Sequence, residues 1–191
     1  MPTLGNYETY TYRINADNTI ASVSENWHSF AVENGGTESC NPGNLIGSPL
    51  WDFISGLETK HLYEIILKKA RAHKQPVQLK FRCDSPDNCR YLQLSIIPLK
   101  DDTVEFQSKI IRSISREPIA LLENDRERSD SFVKICSVCK KIAVSDSEWQ
   151  ETDMAINTLQ LFDYEQLPEL SHGLCQSCYN EAIAKATQNI L

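Results

Sequence analysis

Two short stretches carry the residues best suited to chemistry: "CSVCKK", with Cys136 and Cys139, and "GLCQSC", with Cys175 and Cys178. A C-x-x-C turn directs two sulfurs to one metal while its backbone amides hydrogen-bond to them, and two such turns complete a tetrahedron. Four cysteines fill that shell and leave no open position for an activated water, so the spacing predicts one structural Zn2+ per chain rather than a catalytic ion. Two other chemistries compete. C-x-x-C thiols with lowered pKa can act as a reversible dithiol switch. His172 could replace one cysteine, or else steady the "SHG" turn and hydrogen-bond a thiolate from outside the shell. Cys40, Cys83 and Cys89 lack a C-x-x-C partner and are read as unliganded.

The elements needed to bring these sulfurs together follow from the flanking residues. Cys136 and Cys139 lie in a short knuckle, whereas "GLCQSCYNEAIAKA" opens a helix, whose N-terminal amides and positive dipole end favour thiolates. A knuckle followed by a helix-borne pair resembles a treble-clef zinc site, although 35 residues separate Cys139 from Cys175. That insert is expected to hold its own small core, with Trp149, Met154, Ile156, Leu159, Leu161, Phe162, Tyr164, Leu167 and Leu170. Lys140 and Lys141 offset some of the charge of a four-thiolate site. A module this small depends on its staple, since zinc contributes about 10 kcal/mol or more in small peptides. Chelation is therefore expected to melt the tail before the rest.

Upstream, "YTYRIN" alternates Tyr10, Tyr12 and Ile14 with polar residues, "NADN" has turn composition, and "TIASVSENW" resumes, which predicts a β-hairpin. Short helices and loops follow. In "SGLETKHLYEIILKKARAHKQP", Leu62, Ile65, Ile66, Lys69 and Ala70 recur at helical spacing, with Ser55 or Thr59 as N-cap and Pro76 closing the end. "VQLKFRC", "YLQLSIIPL" and "TVEFQSKIIRSI" then read as three strands, with Val77, Leu79, Phe81 and Cys83 on one face of the first. The order predicts an α+β fold: a five-stranded antiparallel sheet with helices on one face, plus the small C-terminal module.

This order, with "TIASVSENWHSFAVENGG", "NLIGSPLWDFI", "ETKHLYEIILKKAR" and "LKFRCDSP", resembles a PAS sensory domain over roughly residues 7 to 115. The resemblance implies a sheet and helices enclosing a pocket that senses a small molecule, a cofactor or a partner, and a homodimer. It implies no catalysis. "CSVCKK…LPELSHGLCQSC" is likewise similar to cysteine-rich tails beside sensor domains in bacterial signalling proteins. "NCRYLQ" looks like the flavin-binding core of light-sensing relatives, but it follows the long helix, so Cys89 is read as a hairpin residue. His28, His61 and His73 are isolated from one another and read by default as surface or core residues; one of them could ligate haem in this fold, and nothing in the sequence selects which. Trp27, Phe30, Trp51 and Phe53 are candidates to line a pocket and equally good core residues.

The divisions expected are residues 1–115 for the sensor, 116–130 for a charged linker or connecting helix, and 131–191 for the zinc module. Net charge is −7, and from Ser131 onward four Lys/Arg face eight Asp/Glu, which argues against a nucleic-acid partner. No apolar run is long enough for a bilayer, and the N-terminus lacks a signal-peptide pattern, which predicts a cytoplasmic chain whose odd count of seven cysteines serves metal rather than disulfides. No nucleophile–base, phosphate-loop or paired-carboxylate pattern stands out. The expectation is a non-enzymatic signal-sensing and protein-interaction module; the alternatives are a thiol-based redox switch and a flavin- or haem-binding PAS sensor.

Overall fold

Alternating apolar residues build the first sheet. Tyr10 and Ile14 point inward from β1 (Thr9–Ile14), and a turn with Asn18 at φ 66 returns the chain into β2 (Ile20–Val23). The computed structural model describes residues 8–33, 41–123, 126–161 and 166–188. Cys40, Phe162 and Tyr164 lie outside the described residues. Helices α1 (Trp27–Glu33) and α2 (Pro42–Leu45) precede α3 (Leu57–His73), and three strands follow: β3 (Val77–Arg82), β4 (Asn88–Pro98) and β5 (Val104–Ser115). All pairings are antiparallel in the order β2-β1-β5-β4-β3.

Helix α3 buries Leu62, Ile66, Leu67 and Ala70, the stripe its periodicity requires. Its N-cap is Gly56 rather than Ser55 or Thr59. The reason is steric: Gly56 sits at φ 86, and a Cβ there would stand 2.5 Å from the His172 carbonyl oxygen. Thr59 instead becomes a buried residue inside the first turn, and Lys74, in the left-handed region at φ 51, ends the helix before Pro76.

The C-terminal part contains a second sheet that the sequence did not disclose. Its strands β6 (Arg128–Cys136), β7 (Ile142–Ala143), β8 (Trp149–Gln150) and β9 (Leu167–Gly173) are ordered β8-β7-β6-β9. β6 and β9 run parallel, from Arg128 against Leu167 to Cys136 against Gly173. Between β8 and β9 lies α4 (Thr152–Thr158), and α5 (Gln176–Gln188) closes the described chain.

Two cores result. The first gathers Ile14, Leu62, Ile66, Ile96 and Phe106 between sheet and helices, and it also takes Ala182 and Ala186 of α5. Those small residues let α5 approach α3 and β3 closely, so the last helix is seated on the first sheet's core. The second core joins Val133, Ile135, Ile142, Ala155, Ile156 and Leu161 with Leu121. Of the expected insert core, Ile156 and Leu161 are buried, Leu159, Leu167 and Leu170 pack at its edge, and Met154 is 57% exposed. The segment from Arg116 to Leu122 is anchored at both ends: Arg116 donates to the Ser85 and Pro86 carbonyls, and Leu121 is fully buried in a 3-10 turn. Among the described residues, no helix is long and apolar enough to cross a membrane.

Candidate functional site

Parallel pairing of β6 with β9 brings the two C-x-x-C turns together. β6 ends at Cys136 and β9 at Gly173, side by side, so Cys175 and the first turn of α5 emerge next to the knuckle. The knuckle is tied by its backbone. Cys136 N–H donates to Lys141 O (2.8 Å), Lys140 N–H donates to Cys136 O (3.0 Å), and Lys140 takes φ 60 to close the turn. Ser137 N–H reaches across to Gly173 O at 2.8 Å.

The Sγ atoms of Cys136, Cys139, Cys175 and Cys178 all lie within 4.8 Å of one another, and none is disulfide-bonded. Cys139 Sγ and Cys175 Sγ are 3.8 Å apart. A regular tetrahedron of sulfurs about 2.3 Å from a central ion has edges of about 3.8 Å, whereas a disulfide would need about 2.05 Å. The four cysteines could therefore hold a metal ion in the geometry their donor type prefers. Cys136 and Cys175 are buried, and Cys139 and Cys178 are half-buried. The Cys175 N–H donates to Cys136 Sγ at 3.4 Å, an amide-to-sulfur bond that ties the second turn to the first.

Electrostatics at the cluster points the same way. Hydrogen bonds from the Cys139 and Cys178 thiols hold Cys136 far below the ordinary thiol range. The same contact with Cys136 pushes Cys139 up to about 12 and Cys178 higher still. Without a cation the charge thus settles on Cys136 in preference to Cys139 and Cys178; a divalent ion would be the partner that favours the ionised form of its thiol ligands. His172 is not one of the converging ligands. It sits on β9 opposite Ile135, where burial and then Lys140 lower its pKa. Cys89 is buried in β4 and Cys83 half-buried after β3, both as free thiols.

The cluster abuts the first sheet. Val138 O in the knuckle accepts from Arg82 N–H at the end of β3 (2.7 Å), and Thr59 Oγ1 on α3 donates to Ser137 Oγ (3.1 Å). Beside them runs a charged lattice: Arg82 pairs with Asp84 and Glu151, and Arg116 pairs with the same Asp84, whose side chain is 1% exposed. Burial works against the Arg82 charge, but its hydrogen bonds to Asp84 and Glu151 outweigh that and raise its pKa. Alternation placed Arg82 on the polar face of β3 and gave no sign that this face would be covered.

A separate cavity of about 490 Å³ opens beside the first sheet, lined among others by Tyr12, Trp27, Leu50, Phe53 and Tyr63. Trp27 and Phe53 are thus cavity residues, whereas Trp51 packs against the core. The Phe30 side chain lies outside the description. Tyr12 stacks on Phe106 (centroids 4.5 Å apart, 7° between planes) and meets Trp27 edge-on at 5.7 Å. The described lining residues include no His, Cys or Met to ligate haem iron. A wider cleft of about 680 Å³ lies between the β4 surface at Cys89 and Tyr91 and the second core at Leu121 and Ile156.

No protein-family model matches the sequence, and no curated protein does. Among solved structures, the chain is similar to a domain of an HTR-like protein from Haloarcula marismortui, at 21% identity and a TM-score of 0.38, over 55% of this chain and 98% of that one. The superposition is too loose to bear on function.

Proposed function

We propose that this chain is a non-enzymatic, cytoplasmic signalling module, in which a PAS-like sheet domain senses a small ligand and a zinc-stapled tail docks on a protein partner or a second copy. The observation that carries this reading is the convergence of four sulfurs, from two turns 35 residues apart, within 4.8 Å. Zinc is the natural occupant, because borderline-soft Zn2+ takes four thiolates in a tetrahedron and, once so filled, has no position left for catalysis. In support of the sensing half, a five-stranded antiparallel sheet with helices packed against it beside a cavity is what the PAS resemblance implies. The contacts Thr59–Ser137 and Arg82–Val138 give a route from that half to the tail.

Native mass spectrometry of freshly purified protein tests this directly. One zinc per chain is the expected mass increment, with a two-chain species for the homodimer. Protein purified without chelator that carries no metal would sink the zinc-staple reading, and a single-chain species at high concentration would remove the homodimer.

A further inference from the structure

We propose that the sulfur quartet is also a redox centre: a hydroperoxide joins Cys139 to Cys175 in a disulfide across the two turns, and that bond takes over from the metal ion as the staple of the tail. This rests on the zinc-staple reading above and adds a regulation to it. Reach and distance select the pair. Cys136 is fully buried and Cys175 is 6% exposed, whereas Cys139 and Cys178 are half-buried, so an oxidant meets one of the latter two first. Of these, Cys139 has its sulfur 3.8 Å from that of Cys175. Cys136 is the fixed member of the quartet. Its N–H and carbonyl are bonded inside the knuckle, and its Sγ accepts from the Cys175 amide at 3.4 Å.

The chemistry balances in two steps. The Cys139 thiolate attacks one peroxide oxygen: an S–O bond forms, the O–O bond breaks, and the departing oxyanion takes a proton from water. The Cys175 thiolate then attacks the Cys139 sulfur: the S–S bond forms, the S–O bond breaks, and hydroxide takes a second proton and leaves as water. Two thiolates have lost two electrons, and the hydroperoxide has gained them. Cys136 and Cys178 remain as donors, too few to fill a tetrahedral shell. The new bond spans the same 35 intervening residues that the metal would bridge. Because Cys175 directly precedes α5, the cross-link keeps the start of that helix beside the knuckle.

Hydrogen peroxide added to the zinc-loaded full chain provides the test, read by a chromogenic zinc indicator and by peptide mapping without reductant. The bound zinc should be released as a Cys139–Cys175 cross-link appears, and a dithiol with added zinc should reverse both. Cys83→Ser, which leaves the quartet intact, should respond as wild type does. The oxidised, metal-free chain should melt at a higher temperature than the reduced chain in chelator, because a disulfide that closes a long loop restrains the unfolded chain. Cross-links confined to single turns, Cys136–Cys139 or Cys175–Cys178, zinc that stays bound under peroxide, or a release that Cys83→Ser abolishes would overturn the inference and leave the zinc staple standing. So would an oxidised chain that melts no higher than the chelated one. Protein that holds no zinc before peroxide is added would overturn the staple reading, and this inference with it.

Discussion

The cysteines divide into those that meet and those that do not. Cys136, Cys139, Cys175 and Cys178 converge, whereas Cys83 and Cys89 remain apart as free thiols. Cys136→Ser and Cys178→Ser should therefore lower zinc from one per chain to none by elemental analysis, while Cys83→Ser retains it; a serine variant of the quartet that kept stoichiometric zinc would refute the ligand set. Oxidation is informative too. Because the 3.8 Å contact joins Cys139 to Cys175, one from each turn, a thiol switch built on this cluster should give a disulfide across the turns, read by peptide mapping. The phenols carry a pH signature. Tyr63 is pushed by burial from 10.0 up to about 12, so the folded chain keeps a proton that the unfolded chain releases. That stabilisation is whole below pH 10 and drains away as the pH climbs toward about 12. Near-ultraviolet absorbance should show a phenol that ionises near pH 12, and Tyr63→Phe should remove that step while Tyr12, which burial raises well above the ordinary range, stays protonated.

At the level of elements, two of the junctions between the tail and the first sheet lend themselves to substitution. One is the approach of Gly56, the N-cap of α3, to His172 on β9. Gly56→Ala would put a methyl 2.5 Å from a carbonyl oxygen at φ 86, and should cost about 2 kcal/mol or more in urea unfolding. A change of less than about 0.5 kcal/mol would show that the junction yields freely. The other is the Arg82–Asp84–Arg116–Glu151 lattice. Asp84→Ala strips two guanidinium groups of a buried shared partner, and breaking such a pair costs about 3 kcal/mol. Glu151→Gln, at a carboxylate that is 44% exposed, should cost much less. Similar losses for the two would mean that burial does not set the strength of the lattice.

For the whole molecule, α5 decides how the two halves share stability. Its first turn supplies Cys178 to the sulfur cluster, and about one and two turns later Ala182 and Ala186 enter the first core. Metal loss frees one end of a helix that the sheet domain needs as cover. Chelation should accordingly lower the melting of the entire chain in one calorimetric transition, in contrast to the tail-first melting that the cysteine spacing alone suggests. Two resolved transitions would show that α3 and α5 separate readily. The sequence by itself determined the order of the strands and helices from β1 to β5, because alternation and helical periodicity are local, and it singled out the four cysteines, because C-x-x-C spacing constrains two sulfurs without reference to the rest. What only the tertiary structure decided depends on contacts between distant segments. Parallel pairing of β6 with β9 leaves no signal in either strand, Arg82 is met by Val138 of the knuckle and by Glu151 from distant parts of the chain, and Ala182 becomes a core residue only because α3 lies opposite. Such packing is a property of pairs of elements, and no single stretch of chain encodes it.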